Sequence, residues 1–73
     1  MIMWYEDASL MTAYAKHFEE CVSEGGFDQK EFMDMMGVAL MESEFAYSKD
    51  AFNEACEQIL DAALDHYGTL CEP

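Results

Sequence analysis

The stretch 25–36, GGFDQKEFMDMM, decides how this chain is read. Gly25 and Gly26 suit the left-handed position that ends one helix, and Asp28 suits the cap that begins the next. Glu31 stands three residues past Asp28, where its side chain can reach back and complete a capping box. Phe27 precedes the cap and Phe32 follows at the fourth helical position, the spacing of a hydrophobic staple. Phe32, Met35, Met36, Ala39 and Leu40 then recur as an inward face with helical period.

Outward from this start, the pattern repeats in both directions. Toward the N-terminus, Trp4, Ala8, Met11, Ala15, Phe18 and Val22 step by fours and threes along one predicted face, which Ser23 to Gly26 bring to an end. Toward the C-terminus, Val38, Met41 and Phe45 extend apolar character onto a second side of the middle helix. Such a second side suits a helix lying between two others, or one that docks on a partner. Tyr47, Ser48 and Phe52 repeat the staple-and-cap spacing. Ala55, Cys56, Ile59, Leu60, Ala63 and Tyr67 follow, with Gly68 as the expected stop. No segment alternates with period two for long, although Ile2 to Tyr5 can pair as a short extended segment. The expectation is all-α: one domain over 1–73, a compact three-helix bundle with helices at approximately 6–24, 29–45 and 49–67, and a tail from Thr69.

Composition limits function more sharply than fold. Of 73 residues, 52% are hydrophobic, which is enough to bury a core and too many for a disordered acidic tail. The formal net charge is −13, from 16 Asp and Glu against three lysines, Lys16, Lys30 and Lys49, with no arginine. Without arginine there is no planar fork for phosphate, and a field of this sign repels nucleic acid and anionic membrane alike. The same field accelerates encounter with a basic protein surface. Cys21, Cys56 and Cys71 make neither a CxxC nor an even-numbered disulfide framework, which fits a reducing cytoplasm. Met1 to Tyr5 is apolar, but Glu6 and Asp7 follow at once, unlike a signal peptide. No apolar run approaches the ~20 residues of a membrane span.

On a wheel at 100° per residue, Asp50, Glu54, Glu57, Asp61 and Asp65 fall within roughly 80°, opposite Phe52, Ile59 and Ala63. The five carboxylates make a stripe about 22 Å long, or about one charge per 5.6 Å. A DNA strand carries about one per 3.4 Å, so the helix alone is sparser than the polymer. Glu19, Glu20 and Glu24 on the first helix, with Glu42 and Glu44 near the second turn, are expected to add to it. Ordinary solvated faces interleave lysine with glutamate, and here lysine is missing beyond Lys49. Like charges at i,i+4 cost a few tenths of a kcal/mol each, a cost that solubility alone does not require.

Other constellations point elsewhere and fall short. Glu20 to Glu31, ECVSEGGFDQKE, resembles the twelve-residue loop of EF-hand proteins, with Gly25 at position 6, Phe27 at 8, Asp28 at 9 and Glu31 at 12. It departs where that family ligates first: Glu20 stands in place of aspartate, and Val22 carries no oxygen at position 3. This resemblance would imply calcium binding. His17 and Cys21 have the i,i+4 spacing of a metal pair, but no second pair accompanies them. Acyl carrier proteins are similar in length, acidity and helicity, yet the second helix opens with Asp28-Gln29-Lys30 rather than their serine-bearing motif. No nucleophile–base pair can be assembled, so no catalytic residues, cofactor or metal are assigned.

In size, acidity and helicity, over the whole chain and without a motif, the protein is similar to small phage-type inhibitors that imitate DNA, the anti-CRISPR and antirestriction proteins. The resemblance implies a non-enzymatic inhibitor, a monomer or homodimer in the host cytoplasm. Its carboxylates would occupy the basic site of a nucleic-acid-binding protein or complex. A different class of reading is a helical adaptor that docks through the methionine-rich second helix, Met33, Met35, Met36 and Met41.

Overall fold

A computed structural model describes residues 3–23 and 25–71 of the chain. A 3-10 turn at Trp4–Glu6 leads into α1 (Ala8–Cys21). A two-residue strand β1 (Val22–Ser23) then pairs with β2 (Gly26–Phe27), and α2 (Gln29–Met41) follows. A second 3-10 turn (Glu44–Tyr47) connects to α3 (Lys49–Cys71). The predominantly helical fold and the three helices agree with the sequence. The small sheet makes the word bundle only approximate.

Caps set most of the boundaries. The Asp7 carboxylate accepts from the backbone N–H groups of Ser9 and Leu10 at 2.9 and 3.2 Å. Asp28 accepts from the Glu31 N–H at 3.1 Å, and the Ser48 hydroxyl from the Ala51 N–H at 3.3 Å. The reciprocal half of the expected capping box does not form, because the Asp28 N–H donates to the Cys21 carbonyl at 3.0 Å. That bond closes the β1–β2 hairpin, with Val22 opposite Phe27 and Ser23 opposite Gly26. α1 therefore spans 8–21 rather than 6–24. Gly26 takes φ +137°, open to glycine at no steric cost, and turns the chain as a hairpin residue, not as a helix cap.

Three further expectations are corrected. α2 stops at Met41, not near 45, and the 3-10 turn that follows swings Phe45 into the core, where it is 9% exposed. Gly68 does not stop α3, which continues to Cys71; a lone glycine in a long helix costs about 1 kcal/mol, too little to end it. Trp4 and Tyr5 lie in the first 3-10 turn instead of an extended segment, and Ile2 lies outside the described residues.

The core is one cluster drawn from the three helices and both 3-10 turns, with Val22 and Phe27 of the hairpin packed against it. Phe32, Met36, Leu40, Ile59 and Ala63 are fully buried, with Leu10, Phe18, Cys21, Ala55, Trp4 and Phe45 around them. The buried face of α1 is Leu10, Tyr14, Phe18 and Cys21, about a quarter-turn from the predicted one; Met11, Ala8 and Ala15 face outward. The two stripes share Phe18, and the one with more apolar area, carrying Leu10 and Tyr14, is the one buried. The Phe27–Phe32 staple forms, with rings 5.3 Å apart. Tyr47 is instead 92% exposed, so α3 begins on its serine cap without a staple.

α2 lies between α1 and α3. α3 also reaches α1 where His66 stacks on Phe18 at 4.4 Å and 6°, and reaches β2 where Tyr67 stacks on Phe27 at 5.9 Å. The radius of gyration is 12.2 Å, above the about 11 Å expected of 73 residues, and the longest dimension is 40 Å. The excess is α3. Its 23 residues rise about 34 Å, against about 20 Å for α2, so it presents a long outer face that neither partner helix covers.

Candidate partner-binding surface

The long outer face carries the predicted stripe. Asp50, Glu54, Glu57, Asp61 and Asp65 are all exposed, and Ala55, Ile59 and Ala63 on the opposite side are at most 3% exposed. The Gln58 amide donates to Glu54 at 3.2 Å, which fixes one carboxylate without neutralising it. Asp65 comes close enough to α1 to push the Tyr14 hydroxyl upward, reinforcing the larger effect of that ring's burial.

No lysine answers these charges. Lys16, Lys30 and Lys49 are exposed, and none reaches a carboxylate within ion-pair distance among the described residues. The described ion pair is His17 with Glu20 at 3.2 Å, which requires a protonated ring. No described charged or polar residue is buried, so the carboxylates stay at the surface and the field faces water.

The remaining acidic residues divide into separate places. Glu42 and Glu44 line a cleft with Asp7, Ser9, Leu10, Ala13, Ala39 and Ser43, between the start of α1 and the end of α2. No α3 residue borders it, so these carboxylates form a second acidic patch rather than an extension of the stripe. Asp7 was not singled out from the sequence for this surface. With the first helix expected from about 6, Asp7 counted as a residue of its first turn, whereas in the structure it is the N-cap of α1. Glu19 and Glu20 are exposed on α1, Glu20 being held by His17, and Glu24 lies outside the described residues.

The EF-hand-like segment 20–31 is a helix end, a hairpin and a helix start, with Glu20 turned to His17 and Asp28 spent on its cap. Among the described residues, no three His, Cys, Asp or Glu side chains converge as metal ligands. Cys21 is buried, and desolvation pushes its thiol up, with Glu31, Asp28 and Glu20 adding to the effect. Burial likewise raises Cys56. Both thiols are thus held in the protonated form, the opposite of an activated nucleophile.

No described helix is long and apolar enough to cross a membrane. Comparison with protein-family models, with curated proteins and with solved structures gave no match to this chain.

Proposed function

We propose that the protein is a non-enzymatic inhibitor whose α3 stripe occupies the basic nucleic-acid-binding site of a cytoplasmic partner, such as a nuclease or a CRISPR surveillance complex. The observation that carries this reading is the coincidence of five exposed carboxylates on one face with the absence, among the described residues, of any lysine paired to them. An elongated acidic ridge presents its charges to a groove, whereas a charge shell kept for solubility has no reason to align them. Arginine- and lysine-lined channels bind phosphates through charge at this spacing scale, and a rigid helix presents carboxylates with little ordering cost.

The adaptor reading is narrowed by the packing of α2. Met36 is fully buried, and Met33 and Met35 pack against the core, which leaves Met41 as the exposed methionine of the four. A Met-driven docking face would need more than that one side chain.

The test is affinity capture from lysate enriched for heparin-binding proteins, eluted with a rising salt gradient. A carboxylate-driven complex releases a nucleic-acid-binding protein at moderate ionic strength. Retention of a partner indifferent to salt would refute the proposal and favour an apolar interface.

A further inference from the structure

Where the two 3-10 turns meet the first turns of α3, Trp4, Phe45, Ala51 and Ala55 enclose a cavity of about 30 Å³, with Glu54 and Gln58 also in its lining. A single water needs about 10–15 Å³ of such space, and a drug-sized ligand roughly 300–1,000 Å³. The cavity is too small for a free cofactor and large enough for the tip of one side chain. Its walls are mostly apolar, and the one charge among them is the Glu54 carboxylate. Trp4 and Phe45 are buried, and the Trp4 ring is held by Tyr14 and Tyr5 at 5.6 and 5.8 Å, so the aromatic walls are in place before anything binds. Aromatic rings beside a carboxylate attract a cation. Glu54 is exposed and marks the mouth; the Gln58 amide donates to its Oε1 at 3.2 Å, and the carboxylate keeps further lone pairs to accept with. The chain does not supply the cation itself: it has no arginine, and none of its lysines pairs with Glu54 among the described residues.

We infer that this cavity receives an arginine side chain of the basic partner, an inference that rests on the inhibitor reading and adds a fixed point to the stripe. Arginine suits it better than lysine, because the guanidinium is planar, weakly hydrated, stacks on aromatic rings and can hold a carboxylate through two bonds. Glu54 belongs both to the cavity and to the stripe, one turn before Glu57. A row of like charges at nearly even spacing can slide along a basic groove. One arginine seated between Trp4, Phe45 and Glu54 fixes the register, and so decides which cations of the partner meet Glu57, Asp61 and Asp65.

Trp4 is the chain's one tryptophan, so its indole N–H resonance reports the cavity with no partner present. In an NMR titration of the full chain, N-acetyl-arginine amide should move that resonance saturably. Neutral N-acetyl-citrulline amide, of nearly the same shape, should bind about tenfold more weakly. Ala51→Leu fills the cavity and keeps every carboxylate, so it should lose the arginine response with the helical circular dichroism retained. Glu54→Gln keeps the shape of the side chain and should bring the arginine probe down to the level of citrulline. An indole resonance that arginine leaves in place, moves no more readily than citrulline does, or moves equally in Ala51→Leu would overturn the inference, and would leave the stripe reading standing. An arginine-specific response at Trp4, with no nucleic-acid-binding protein captured by the chain, would instead uphold the arginine pocket and refute the inhibitor reading.

Discussion

The outer faces of α3 and α2 are built from the same kind of amphipathic helix, yet they hold opposite surfaces. α3 turns out five carboxylates at i, i+4, i+3, i+4 and i+4, with no cation paired to them among the described residues. α2 turns out Val38, Met41 and a glycine gap beside its one lysine. Each surface carries a cost that the isolated fold does not need: like-charge repulsion on one helix and exposed apolar area with a mid-helix glycine on the other. The difference teaches that one amphipathic pattern can carry two surface chemistries, a row of unpaired carboxylates on α3 and a short apolar patch on α2.

If the inner faces provide the stability and the outer faces the binding, substitutions inside should be far more damaging than substitutions outside. Phe32→Ala on α2 and Ile59→Ala on α3 each remove a fully buried side chain, at about 2–5 kcal/mol by large-to-small precedent. A domain of this size holds little more than that in total, so Phe32→Ala should be largely unfolded in urea titrations at low denaturant. Two-state stability close to wild type would mean the core is misassigned.

Two glycines sharpen the contrast. Gly26→Ala forces a side chain into φ +137° and should cost about 1–3 kcal/mol, read as a lower denaturation midpoint. Gly37→Ala, whose added Cβ meets no atom within 4 Å, should instead stabilise the protein by about 1 kcal/mol. Glycine effects of opposite sign from one chain follow only if the first glycine serves the fold and the second does not.

Smaller effects come from the solvent conditions. Moderate salt should raise the melting temperature by about a few degrees, since screening relieves repulsion among the α3 carboxylates. Indifference to salt would remove the electrostatic cost on which the contrast rests. At alkaline pH the sign runs through Cys21, Cys56 and Tyr14. Their folded-state values are raised, so the stability they contribute is full below the ordinary thiol range and is lost as pH climbs through the raised values. Denaturation midpoints should therefore fall above pH ~8.5, and the fall should be shallower in Cys21→Ala. A Cys21→Ala variant with an unchanged alkaline slope would mean that this thiol does not titrate with folding.

Much of this was legible in the sequence, and for identifiable reasons. Asp28 and Ser48 announced the starts of α2 and α3 because short polar side chains before an apolar run have one dominant local use. The stripe on α3 was legible because five carboxylates at helical spacing need no tertiary information to share a face. The buried face of α1 was not. Met11 and Ala15 compete with Leu10 and Tyr14 at the same period, and only contact with Phe32, whose ring lies 5.7 Å from that of Tyr14, decides between them. The β1–β2 hairpin escaped because two residues per strand leave no periodicity to read. Glu42 and Glu44 were visible as charges, but their place beside Asp7 depends on how α1 and α2 pack.

The central claim concerns the middle of the stripe, and a competition assay tests it most directly. The captured partner is loaded with a labelled nucleic-acid duplex, and the duplex is displaced with wild-type protein or with the double variant Glu57→Lys, Asp61→Lys. The two reversals move the net charge from −13 to −9, each adding two, and relieve repulsion with Glu54 and Asp65, so the isolated helix should be as stable as before. A parallel variant, Met33→Ala with Met41→Ala, leaves every carboxylate in place. Wild type and the methionine variant should displace the duplex, while the charge-reversed variant, fully folded by circular dichroism, should not. Displacement by the charge-reversed protein at wild-type concentration, with failure of the methionine variant, would contradict it and assign binding to α2.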